Sequence, residues 1–133
     1  MKKYFYKVLV YRAFEKTLHS ACISGPASIT YKLNKWTLPI IKGSKIFVFE
    51  KLSDARSFAN EYDKIFKCQV RNPKPIEKAL SSDAFTNNRD IPKLITFWKR
   101  FSKKQDCQTR FVTPFGTSVV DAVKLLKEVS RHE

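Results

Sequence analysis

The chain has 133 residues and a mass of 15.5 kDa, is 43% hydrophobic and 29% charged, and sets 26 Lys and Arg against 12 Asp and Glu for a net charge of +14. These values fit a single domain over 1–133, large enough to bury a core without a metal or disulfide staple, and no apolar run approaches the roughly 18 residues of a membrane-spanning helix. Three glycines leave no room for a Gly-rich phosphate loop, which excludes nucleotide binding through the Rossmann or P-loop motifs.

Residues 4–14 are aromatic and β-branched, and Lys7 and Arg12 interrupt their apolar run, so they predict a strand rather than a signal peptide. Ser24-Gly25-Pro26 reads as a turn between hairpin strands at 19–23 and 29–36. Residues 45–50 are apolar at odd and even positions alike, which predicts a central strand covered on both faces. Ser53 is a good N-cap and Asp54 suits the positive end of a helix dipole. Ala55, Phe58, Ala59, Tyr62, Ile65 and Phe66 then recur at helical spacing. Cys68 and Val70 predict a short strand stopped at Asn72-Pro73, with a weak helical turn over 75–80 and a loop over 81–89.

Asp90 can cap a second helix with Pro92 in its first turn. It would gather Leu94, Phe97, Trp98 and Phe101 on one side and Lys93, Lys99, Arg100, Lys103 and Lys104 on the other. Residues 109–113 predict a strand ended by Pro114-Phe115-Gly116. Residues 119–129 fit a helix by spacing and a strand by their β-branched first half, and periodicity leaves both open. The expected fold class is α+β: a single domain with a mostly antiparallel sheet and about two main helices packed on it.

Several short signatures recur in a telling order. They are Tyr6-Lys7-Val8; Tyr31 with Trp36-Thr37; the 45–49 strand running into Leu52-Ser53-Asp54-Ala55 and Phe58; Cys68-Gln69-Val70 with Asn72-Pro73; and Pro114 with Gly116-Thr117 leading to Val123. In this the chain resembles a small family of uncharacterised α+β domains found among hypothetical proteins of phages, large DNA viruses and bacteria. The resemblance implies a stand-alone domain over nearly the whole chain, an accessory protein of viral or mobile-element type, and a strand at 119–123. It implies no activity, ligand or site residue, and the basic segment 99–104 falls outside its pattern.

Basic residues interleaved with aromatics suit nucleic acid, because cations meet phosphates and flat rings stack on unpaired bases. Residues 1–50 hold nine basic and two acidic side chains, the densest positive segment. If Lys2, Lys3, Lys7, Arg12, Lys32, Lys35 and Lys45 share a face or edge of the sheet, Tyr31 and Trp36 supply its stacking surfaces. The basic helix, with Lys93, Lys99, Arg100, Lys103 and Lys104, is a second candidate contact. Lysines outnumber arginines 19 to 7, so part of this charge serves solubility and edge protection. No zinc finger, basic zipper or helix-turn-helix argues for sequence-specific DNA reading.

His19 and Cys22 are three apart and face opposite sides of a strand, and Cys22, Cys68 and Cys107 are spread too widely for a metal knuckle or a disulfide framework. Reduced thiols in an intracellular compartment follow, with no metal, cofactor or catalytic residue expected. The leading expectation is a non-enzymatic basic accessory protein that contacts a nucleic acid, nucleotide or other polyanion, with no membrane and an open oligomeric state. Two alternatives stand beside it. One is a small metal-independent enzyme acting on a phosphate-containing substrate, with His19, Tyr31 and nearby lysines; the other is a docking protein for an acidic protein partner.

Overall fold

The computed structural model describes residues 3–14, 16–20, 29–39, 45–75, 99, 103 and 116–130. In chain order these form β1 (Phe5–Arg12), β2 (Thr17–Ser20), β3 (Thr30–Tyr31), β4 (Trp36–Thr37), β5 (Ile46–Phe49), α1 (Leu52–Phe58), β6 (Asp63–Arg71), β7 (Lys74–Pro75), β8 (Thr117–Val120) and β9 (Ala122–Val129). All ladders between named strands are antiparallel.

The ladders close on themselves. β1 pairs with β6, β6 with β9, and β9 with β4. Just before β4, Leu33 bridges Leu125, and the Asn34 N–H donates to the Leu125 carbonyl at 2.8 Å. The same stretch begins as β3, which pairs with β2, and β2 returns to β1. A second circuit runs from β1 through β5 to β8, which continues through Asp121 into β9. Strand alternation then decides what lies inside these rings. Phe5 and Leu9 of β1, Phe66 and Cys68 of β6, and Val123 and Leu125 of β9 share the interior with Tyr31, Ile46, Val48 and Val120. Val8, Ile65 and Phe49 face the other way and are covered by Ala55, with Leu52 and Phe58 of α1 packed beside them.

This architecture corrects the expected fold class. Of the described residues 57% are in strands and 11% helical, with one short helix among them, so the fold is β-rich rather than α+β with two main helices. The first expected helix ends at Phe58 instead of reaching Phe66. The backbone of Ala59 is extended, the Asn60 N–H donates to the Asp63 carboxylate at 2.8 Å, and the Asp63 N–H returns a bond to the Asn60 carbonyl at 3.0 Å. This turn releases Asp63 into β6, and Ile65 and Phe66 are buried on opposite faces of a strand. Ser53 is not the N-cap; Lys51 takes that place without a side-chain cap bond.

Asn72, at a φ of 52°, kinks the chain without ending the pairing, since β7 continues along β8 where β6 ran along β9. Residues 119–129 are strand on both sides of Asp121, which decides the ambiguity left by their spacing. The turn at Ser24-Gly25-Pro26, the helical turn beyond Pro75, the 81–89 loop, the 109–113 strand and nearly all of the 90–104 helix lie outside the described residues. From that last segment the Lys103 N–H donates to the Lys99 carbonyl at 3.2 Å. Among the described residues no helix is long and apolar enough to cross a membrane.

Candidate nucleic-acid interface

The residues singled out from sequence do not gather. Lys7 shares the inward face of β1 with Phe5 and Leu9; its Nζ donates to the Phe47 carbonyl at 2.8 Å and lies 5.8 Å from the centre of the Tyr31 ring. Tyr31 is 3% exposed in the core, which removes it as a stacking surface. Arg12 ends β1 opposite Thr17, and Lys32 and Lys35 are exposed on the approach to β4. Lys99 and Lys103 are exposed; Lys93, Arg100 and Lys104 lie outside the described residues.

His19 and Tyr31, named together for phosphate chemistry, do not converge. His19 pairs with Thr30 and Tyr31 with Leu18, so the two side chains leave opposite faces of one ladder. The imidazole is held between threonines, with Thr17 Oγ1 2.6 Å from Nε2 and Thr30 Oγ1 3.4 Å from Nδ1.

A different set does converge, on the outer face of β1, β6, β9 and β4. Cross-strand register puts Tyr6, Lys67 and Lys127 in one row beside the helix-covered row of Val8, Ile65 and Val129. The next row runs from Gln69 through Lys124 to Trp36, and Arg71 with Ala122 follows. Tyr4, which precedes β1, lies on this face too, because the Lys67 ammonium sits 4.1 Å from the centre of its ring. At the opposite edge the Arg71 guanidinium stands 4.1 Å from the Trp36 ring centre, and Trp36 is 38% exposed. Lys124 thus lies between the two aromatic rings, with Lys67 and Lys127 in the row on one side and Arg71 in the row on the other, the rows about 7 Å apart and the strands about 4.8 Å apart.

A bulge makes this face possible. Lys124 and Lys127 are three residues apart and would leave opposite sides of a regular strand. The register shifts between Lys67 and Cys68, which oppose Lys127 and Leu125, so Leu126 is the extra residue and both lysines emerge on the outer side. Lys67 and Lys127 then stand directly opposite each other, a like-charge pair that costs stability unless an anion lies between them. Trp36 was legible from sequence. Tyr4, Lys67, Arg71, Lys124 and Lys127 were not, although a strand reading of 63–71 would have placed Lys67, Gln69 and Arg71 on one side.

Fold and face together define, among the described residues, a β-rich structure with a cationic, aromatic-edged sheet surface. No family model matches the chain, and comparison with curated proteins and with solved structures finds no match.

Proposed function

We propose that this protein is a non-enzymatic nucleic-acid-binding domain whose outer sheet face takes the phosphate backbone of its ligand. The observation that carries the reading is the convergence of Lys67, Arg71, Lys124 and Lys127 on one face with Tyr4 and Trp36. Cations at neighbouring positions match closely spaced phosphates, and neutralising each phosphate releases counterions. A reducing, intracellular setting belongs to the same proposal, in keeping with the free thiol of buried Cys68.

Fluorescence anisotropy with a labelled oligonucleotide between about 50 and 200 mM salt tests it. Four phosphate contacts give a slope of log K against log salt near −3, a loss of roughly 50-fold across that range. Reversing Lys124→Glu together with Lys127→Glu should cut the slope by about half, whereas reversing Lys99 and Lys103 should leave it nearly unchanged. An unchanged slope in the first variant would remove this face as the phosphate contact, and tighter binding of polyglutamate than of the oligonucleotide would remove nucleic acid as the ligand.

A further inference from the structure

The geometry points to a single-stranded ligand that crosses the strands of the sheet and stacks bases on Trp36 and Tyr4; this rests on the nucleic-acid reading above and goes beyond it. Trp36 ends a row that runs from Gln69 through Lys124, and Tyr4 directly precedes Phe5, which pairs with Cys68, so that its ring flanks the β6 end of that row and takes the Lys67 ammonium. Three strand spacings separate the two sides by about 14 Å, at most about four nucleotide steps, the number at the stacked rise near 3.4 Å, and fewer for a strand with splayed bases. The cations of the neighbouring row, Lys67 and Lys127, lie to one side of that line. Lys124 between the rings, Lys67 and Lys127 on one side and Arg71 on the other put stacking surfaces and phosphate partners within reach of one strand with splayed bases.

A duplex hides the faces of its bases and is read through its grooves by an inserted element, whereas aromatic side chains on a sheet face read unpaired bases. Trp36 keeps 38% of its surface open even with Arg71 over its ring, and both a ring and a guanidinium plane accept a base. The anchor also suits a ligand that is not sequence-specific, because every base offers a π-face.

The test compares three labelled probes of about eight nucleotides, within the usual footprint of small single-strand-binding folds. They are oligothymidylate, an abasic strand with the same phosphates, and a duplex. The expected result is that oligothymidylate binds at least about fivefold tighter than either of the others and quenches tryptophan fluorescence. Trp36→Ala should erase the advantage over the abasic strand while leaving abasic affinity in place, and Trp36→Phe should keep most of it. Equal binding of oligothymidylate and abasic strand by the unaltered protein, both weakened by charge reversal at Lys124 and Lys127, would overturn the stacking inference and leave phosphate binding standing. Tighter binding of the duplex would overturn it as well. Failure of all three probes to bind would overturn both readings, and the comparison on the unaltered protein needs no variant to fold.

Discussion

Lys7 and Lys67 carry the same charge on neighbouring strands and have different roles because strand alternation sends them to opposite faces. Lys7 pairs with Phe66 and turns inward to the Phe47 carbonyl, while Lys67 pairs with Tyr6 and turns out to Tyr4. Cys68 shows what the interior does to chemistry. Its Sγ donates to the Phe5 carbonyl at 3.3 Å, and burial pushes the thiol up to about 12, an effect the charge of Lys7 only partly offsets. Native Cys68 should therefore resist iodoacetamide near neutral pH and react only in denaturant. Peptide mass spectrometry reads this directly, and a carboxamidomethylated Cys68 from native protein would contradict the buried placement.

Asp121 is the opposite case, an acid held in its charged form. It pairs with Lys45 and accepts a bond from Asn72 Nδ2 at 2.8 Å, and these contacts, led by Lys45, lower its pKa below the ordinary carboxylate value. A carboxyl with a lowered folded-state pKa binds fewer protons than its unfolded counterpart. Its stabilising contribution is therefore complete above the usual carboxylate range and is lost as pH falls through the folded-state value. Urea midpoints measured from neutral to acid pH should fall for the native chain, and Asp121→Asn should flatten the part of that fall due to this group. Parallel curves for the two proteins would show that the contact carries no pH dependence.

At the level of elements, local turn chemistry overrides periodicity. The spacing of apolar residues from Ala55 to Phe66 matches a helix. The bonds between Asn60 and Asp63 end it after Phe58, and burial on both faces of β6 supplies the remaining apolar positions. A run buried on both sides is ambiguous between helix and strand, and only its partners decide. The same limit holds for 119–129, where pairing with β5 and β6 selects strand.

Gly116 is the hinge into β8, with a φ of 81°. A Cβ there would lie 2.1 Å from Oδ2 and 2.7 Å from Cγ of Asp54, in the first turn of α1. Gly116→Ala should cost at least about 1–2 kcal/mol by denaturant titration, because the left-handed backbone alone carries that penalty for a residue with a Cβ. Adding Asp54→Ala should recover part of the loss, by relieving contact with the carboxylate but not the backbone strain. Unchanged stability in Gly116→Ala would mean that this turn adopts another conformation.

At the scale of the molecule, a charge of +14 attracts polyanions without saying where. The outer face turns that diffuse attraction into a local one, so charge reversals equal in number should differ in effect. Lys124 and Lys127 should weaken oligonucleotide binding several-fold more than Lys99 and Lys103, and equal losses would return the attraction to net charge alone. Charge, the absence of a phosphate-binding glycine loop, the strands at 5–12 and 46–49 and the aromatic–basic character were all legible in the residues, since each depends on composition or on neighbours in the chain. The ring of ladders, the burial of Tyr31 and the inward turn of Lys7 were not. Nor was the bulge at Leu126 that brings Lys124 and Lys127 to one side. Those features depend on register between segments far apart in sequence. A one-residue shift in register exchanges the two faces of a strand, and that choice is made only when the partner strand is in place.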